Sequence, residues 1–280
     1  MPCVQASQNY MNWRDYNPVE LEREYTPASR VENIQIYLDQ YATAGAHSRH
    51  VVRHDKLQYG PHADEWLWLA PSTNAENQTK KLVVFVHGGF WRRLSADDGT
   101  FLTPAWHQQG YDFVSVNYSL CPNDPLETLV DQTLRAIQFL HTSYSPSNIT
   151  LVGHSAGAQL VAMALNSIAA KFERAILVSG IFDLEPITNT SINDSTRLDA
   201  ESSYHLSPIN FVSQAKDTPL VIIWGENETD EFKRQSREFE SAWNKNDEHT
   251  PCIAREISKR NHFDVLFDLA TPIVTDLFNE

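Results

Sequence analysis

Much of the chain alternates short runs of almost wholly apolar residues with longer segments whose apolar residues recur at helical spacing. Residues 82–86 read Leu-Val-Val-Phe-Val, whereas residues 125–143 carry leucine, valine and isoleucine along one helical stripe. Such runs predict strands buried on both faces, and such stripes predict amphipathic helices. The alternation predicts an α/β fold with a mostly parallel central sheet and helices on both faces. Strands are predicted at 65–69, 82–86, 113–118, 149–152, 175–178, 219–224 and 254–257, with one more ending before Tyr59, and helices around 31–41, 125–143, 158–165 and 265–269.

The length of 280 residues fits a single domain spanning 1–280. Residues 1–50 precede the regular alternation, and the stretch up to Pro27 is polar and aromatic-rich, so 1–50 is interpreted as an N-terminal extension. Residues 181–215 are polar with weak periodicity, which makes them a candidate cap or lid. Residues 71–77 have the composition of a loop.

Composition narrows the partners that the protein can have. Hydrophobic residues make up 41% and charged residues 21%, and no window approaches the ~18 to 20 apolar residues of a membrane span. The N-terminus lacks the basic start and apolar stretch of a signal peptide. The net charge of -14 argues against binding to nucleic acid or to anionic membranes. We therefore expect a cytoplasmic protein that binds a small-molecule substrate, and a homodimer stays open.

Neither the cysteines nor the clustered histidines predict a metal site. Cys3, Cys121 and Cys252 are odd in number and have no C-x-x-C spacing, which indicates reduced thiols. His47, His50 and His54 have helical spacing, but they straddle a predicted helix end and lack a second ligand cluster. We expect no metal and no organic cofactor.

Ser155 is the candidate nucleophile. It occupies the third position of Gly-His-Ser-Ala-Gly at residues 153–157, directly after the apolar run 149–152 and directly before a helix-like segment. A G-x-S-x-G sequence between a strand and a helix is the nucleophile elbow of α/β-hydrolases. The glycines allow a sharp turn, and the serine then lies beside helix-start N–H groups that favour negative charge. A purely structural turn is the alternative.

A second motif follows the strand 82–86, where the sequence reads His-Gly-Gly-Phe-Trp. An H-G-G run in this position is typical of the oxyanion-hole loop of lipase-like hydrolases. Glycine lets the backbone approach the reacting carbonyl and direct N–H groups at it. The expected donors are the N–H groups of Gly88, Gly89 and Ala156; a plain glycine turn is the alternative.

The acid and the histidine of this fold follow the serine in chain order, each after a strand. Glu228 lies three residues after Gly225, which ends the strand 219–224, and this is the usual acid position. Asp230 is the competing candidate. His262 lies on the loop before the last predicted helix and is the candidate general base.

With these residues assigned, the chain resembles the kynurenine formamidase (arylformamidase) family of α/β-hydrolases. The resemblance implies hydrolysis of N-formyl-L-kynurenine to kynurenine and formate, without a cofactor. Vertebrate-type members carry aspartate where this chain has Glu228, and a glutamate can fill that role. The pieces that carry the resemblance are H-G-G-F-W at 87–91, N-Y-S-L-C-P at 117–122, G-H-S-A-G-A at 153–158, S-G-I-F-D-L-E-P at 179–186, E-F-K-R-Q-S at 231–236 and N-H-F-D-V at 261–265.

The resemblance also suggests where an aryl group would bind. Phe90 and Trp91 lie beside the oxyanion loop and are candidates to face the aryl ring; ordinary core packing is the alternative. A carboxylesterase or amidase for small acyl groups would use the same residues and is the second hypothesis. A non-catalytic binding protein on this fold is the third, although such proteins usually lose a triad member.

Overall fold

One central sheet organises the protein, for which the computed structural model describes residues 12–72 and 80–279. Cys3 and residues 73–77 of the predicted loop lie outside these ranges. Within them, the sheet contains eight strands in the order β1-β2-β4-β3-β5-β6-β7-β8. The strands are β1 (Asp55–Gln58), β2 (Trp66–Ala70), β3 (Leu82–Val86), β4 (Asp112–Val116), β5 (Ile149–His154), β6 (Arg174–Val178), β7 (Leu220–Gly225) and β8 (Ile253–Ile257).

The sheet is mostly parallel, as the sequence predicts. β1 and β2 pair antiparallel, and β2 pairs antiparallel with β4. The other six strands run parallel to one another, with Val84 opposite Val114 on one side and Leu151 on the other. The carboxyl ends of β3, β5, β6, β7 and β8 therefore meet at one edge, where ligands bind in open α/β sheets.

The helices agree with the sequence prediction best where the apolar stripe is strongest. The predicted helix 125–143 is observed as Leu126–Leu140, and the helix predicted at 31–41 corresponds to a longer one, Ile34–Val51. Residues 264–268 form a 3-10 helix, and 181–215 contains several short helices that weak periodicity did not predict. No helix in the described ranges combines the length and apolar character of a membrane span. The α-helices are α1 (Pro18–Glu24), α2 (Ile34–Val51), α3 (Thr103–Gln108), α4 (Leu126–Leu140), α5 (Ala156–Ser167), α6 (Asn193–Thr196), α7 (Ala200–His205), α8 (Asp230–Asn244) and α9 (Pro272–Thr275).

Helices cover both faces of the sheet. Because successive strand residues point to opposite sides, each strand contributes side chains to two separate cores. In β3, Val84 belongs to a core cluster that also contains Leu129 of α4 and Leu160 of α5. The next residue, Phe85, belongs to a second cluster with Trp106 of α3. The predicted α/β-hydrolase architecture is confirmed. Cys121 and Cys252 are buried free thiols.

Candidate active site

Ser155 lies on a strained turn between β5 and α5, at the carboxyl edge of the sheet. Its backbone has φ 54° and ψ -120°, a region that L-residues adopt only under constraint. Its N–H donates to the carbonyl of Val178 at the end of β6 (2.8 Å), which holds the turn against the neighbouring strand. A Cβ on Gly157 would overlap the carbonyls at the end of β3, so α5 can begin this close to the sheet only with glycine there. These constraints keep the serine at the tip of the elbow.

The predicted oxyanion-loop residues surround this turn. A Cβ on Gly88 would lie 3.0 Å from the Cβ of Ser155, so the backbone of Gly88 runs directly against the serine. Gly89 has φ +102° and lines the same cavity as Ser155. Ala156 is the first residue of α5, where helix N–H groups lack intrahelical acceptors. The three predicted donors therefore come from the two segments that meet at Ser155.

His87 anchors the oxyanion loop. Its ring stacks on Tyr118 (centroids 4.2 Å apart, 10° between planes), and the Tyr118 hydroxyl donates to the His87 carbonyl (2.7 Å). Because a carbonyl can only accept, His87 Nδ1–H donates to the Gly88 carbonyl (2.8 Å). Burial lowers the pKa of His87 to about 4, so the ring is neutral at pH 7. The loop is thus held by a neutral, buried histidine.

Glu228 and His262 form a buried pair. A carboxylate can only accept, so His262 Nδ1–H donates to Glu228 Oε2 (2.9 Å). The other carboxylate oxygen, Oε1, accepts from Ser179 Oγ (2.6 Å) and from the Gly225 N–H (2.6 Å). Asp230, the competing candidate, is exposed at the start of α8. The arrangement fixes the tautomer of His262 and leaves Nε2 as its basic nitrogen.

Two further side chains orient the loop that carries His262. His154, which the sequence assigned no chemical role, donates from Nε2–H to the His262 carbonyl (2.8 Å). Burial, with the nearby His262 as a second cause, holds the pKa of His154 well below its usual range. Phe232 packs edge-on against the His262 ring (centroids 4.6 Å apart). The imidazole is therefore confined by both hydrogen bonding and packing.

A cavity of about 200 Å³ contains Ser155 and His262 in its wall. Phe90, a candidate to face the aryl ring, also lines it. Trp91 does not: it is fully buried in the core, and its indole N–H donates to Gln159 Oε1 (3.0 Å). Both residues have positive φ (51° and 57°), and this tight turn directs consecutive side chains to different surroundings.

The N-terminal extension forms part of the cavity wall, which sequence reasoning missed. Tyr25 lines the cavity and donates from its hydroxyl to Glu231 Oε2 (2.8 Å), while Gln235 Nε2 donates to the same hydroxyl (2.8 Å). Arg234 pairs with both oxygens of Glu231 (2.8 Å each). Burial raises the pKa of Tyr25 well above its ordinary value, which keeps this donor protonated. The stretch 231–236 thus anchors the extension beside the candidate site.

Comparisons with known proteins agree with this architecture. A family model for the alpha/beta hydrolase fold matches residues 83–250. Kynurenine formamidase of Danio rerio is 30% identical over 281 residues, covering 92% of this chain and 93% of that protein. The chain belongs to the kynurenine formamidase family of α/β-hydrolases. Kynurenine formamidase of Drosophila melanogaster is 27% identical in an alignment that covers 80% of this chain and 85% of that protein.

Solved structures extend the likeness of the fold. A Silicibacter sp. TM1040 protein described as a thioesterase superposes with a TM-score of 0.80 at 24% identity, covering 90% of this chain and 95% of that one. At this identity the match speaks for the fold alone. The formamidase relatives confirm the family resemblance seen in the sequence motifs, and the chain is an arylformamidase-like hydrolase.

Proposed function

We propose that the protein hydrolyses N-formyl-L-kynurenine to L-kynurenine and formate, through a formyl ester on Ser155. The observation that carries the proposal is the buried His262–Glu228 pair (2.9 Å), whose histidine shares one cavity with a serine on a nucleophile elbow. The family membership supports the choice of an aryl formamide as substrate.

The first half of the reaction transfers the formyl group. Ser155 Oγ attacks the formyl carbon while His262 Nε2 takes the hydroxyl proton, and Glu228 stabilises the imidazolium. The carbonyl oxygen becomes an oxyanion that accepts from the N–H groups of Gly88, Gly89 and Ala156, and one such donor contributes about a hundredfold or more in rate. His262 then gives its proton to the anilide nitrogen as the C–N bond breaks, and L-kynurenine leaves.

The second half regenerates the enzyme. His262 takes a proton from a water molecule, whose oxygen attacks the formyl carbon. The ester bond to Ser155 breaks, the serine recovers its proton from His262, and formate departs. Because formyl is the smallest acyl group, no acyl pocket is required. The apolar wall supplied by Phe90 and Tyr25 suits the aryl ring of the leaving group.

Rapid-quench kinetics with N-formyl-L-kynurenine test the proposal. We expect L-kynurenine and formate in equal amounts, and a formyl ester on the peptide containing Ser155 at short times. Ser155→Ala, with His262 and Glu228 intact, should abolish the ester and lower kcat by at least about a thousandfold. Undiminished turnover in Ser155→Ala contradicts the proposal. Release of L-kynurenine by the wild-type enzyme, with no formyl ester on Ser155 in samples quenched during the first turnover, also contradicts it.

A further inference from the structure

Three charged residues line the otherwise largely apolar cavity beside Ser155. Arg92 and Arg93 follow the oxyanion loop directly, and Glu22 comes from α1 on the N-terminal extension. Arg92 and Glu22 are half-buried, and Arg93 is exposed. Opposite charges therefore approach one cavity from two separate elements.

These charges are not neutralised by protein groups in the described part of the chain. Neither arginine forms an ion pair there, with Glu22 or with any other carboxylate. Glu22 accepts hydrogen bonds from the N–H and hydroxyl of Ser191, which are neutral donors that fix the carboxylate without cancelling its charge. The net charge of -14 means that carboxylates outnumber basic groups in this chain, yet these two arginines beside the candidate nucleophile have no carboxylate partner among the described residues.

The two arginines are held close to the reacting group by the backbone. The N–H of Arg92 donates to the carbonyl of Gly89 (3.1 Å), which closes a tight turn in the oxyanion loop. Arginine presents several N–H donors in a planar fork that matches a carboxylate, and such charge-assisted bonds are stronger than neutral ones. Glu22, whose carboxylate is held by Ser191, offers acceptor oxygens to an ammonium group.

We infer that Arg92 and Arg93 bind the α-carboxylate, and Glu22 the α-ammonium, of an amino-acid head attached to the aryl formamide. This inference rests on the proposed function and adds a specificity site to it. A zwitterionic head offers a partner of opposite charge to both the arginines and Glu22, whereas a plain aryl ester or formanilide offers a charged partner to neither. The site would therefore distinguish amino-acid substrates from simple aryl substrates that the same nucleophile can attack.

Binding to a Ser155→Ala background tests the inference, because it does not depend on turnover. The ligands are N-formyl-L-kynurenine, N-formylkynuramine (which lacks the carboxylate) and ortho-formamidoacetophenone (which lacks both charges), measured by calorimetry. We expect Arg92→Met/Arg93→Met to raise the Kd of N-formyl-L-kynurenine by about tenfold or more. The Kd values of the other two ligands should stay within about twofold of those without the arginine substitutions. Glu22→Gln should weaken the binding of both ammonium-bearing ligands and leave the binding of ortho-formamidoacetophenone unchanged.

Charge-matched controls lie away from this edge of the sheet. Lys216→Met and Glu248→Gln remove exposed charges from loops that precede β7 and β8, and should leave all three affinities unchanged. If the double arginine variant does not melt cooperatively, the single variants Arg92→Met and Arg93→Met replace it.

Two results for the arginine variant overturn the inference. One is an equal loss of affinity for all three ligands, and the other is the absence of a selective loss of affinity for N-formyl-L-kynurenine. Failure of the proposed function has a different signature. In that case the Ser155-containing enzyme would not cleave N-formyl-L-kynurenine, while the head-group dependence of binding persisted as expected.

Discussion

Replacing Glu228 with glutamine changes one oxygen for an NH₂ group and so reverses a hydrogen bond. Glu228 Oε1 accepts from two donors, Ser179 Oγ and the Gly225 N–H, both at 2.6 Å. The backbone N–H cannot become an acceptor, so the glutamine oxygen must stay on that side and its NH₂ must face His262. His262 Nδ1 then has to accept, which puts the proton on Nε2. In that tautomer His262 cannot take the serine proton.

We therefore expect Glu228→Gln to lower kcat by about 10³- to 10⁴-fold at pH 7, with little change in KM, because geometry is kept while the tautomer is wrong. The assay is steady-state release of L-kynurenine from N-formyl-L-kynurenine. Asp230→Asn is the matched control and should keep activity within about twofold, since its carboxylate is exposed at the start of α8. A loss in Asp230→Asn that exceeds the loss in Glu228→Gln would refute the assignment of the acid.

Three further predictions concern the surroundings of the site. Tyr25→Phe removes a buried hydroxyl that is hydrogen-bonded to Glu231 and Gln235. It should lower the free energy of unfolding by about 1 to 3 kcal/mol in urea titrations and raise KM more than it lowers kcat. An unchanged free energy of unfolding and an unchanged KM would contradict this. His87 has its pKa lowered from 6.5 to about 4, so the unfolded chain binds this proton more readily between those pH values. This contribution to stability is complete above about pH 6.5, and the free energy of unfolding falls by about 2 kcal/mol between pH 7 and pH 5. His87→Gln should reduce this dependence on pH in denaturant unfolding. An equal dependence in the variant would contradict the prediction. A chelator should leave hydrolysis unchanged, because the mechanism uses no metal, and loss of activity that zinc restores would refute that expectation.

The elements that carry the candidate chemistry could be predicted because their signals are local. β3 and β5 are short apolar runs that end in glycine-containing turns, and hydrophobic pattern and turn chemistry agree at Gly88 and Ser155. The positions of Glu228 and His262 follow from chain order along a parallel sheet. The hydrogen bond between them joins residues 34 positions apart, and the strand order of the sheet brings their loops together.

The cavity wall could not be predicted in the same way, because it depends on contacts between distant segments. Tyr25 lies beside the site only because α8 binds its hydroxyl from residues 206 and 210 positions later. The extension showed aromatic content but no period that would indicate its partner. Phe90 and Trp91 are adjacent aromatic residues, and the positive-φ turn that places one at the cavity and the other in the core has no signal in their side chains.

The most direct test of the proposed function is the ratio of kcat/KM for N-formyl-L-kynurenine to kcat/KM for a short-chain aryl ester, with purified enzyme and with Ser155→Ala as the blank. We expect kcat/KM of about 10⁴ M⁻¹s⁻¹ or higher for N-formyl-L-kynurenine, in the range of dedicated enzymes, and a lower value for the ester. Rapid, Ser155-dependent cleavage of the ester with negligible cleavage of N-formyl-L-kynurenine would contradict it and identify an esterase that uses the same nucleophile.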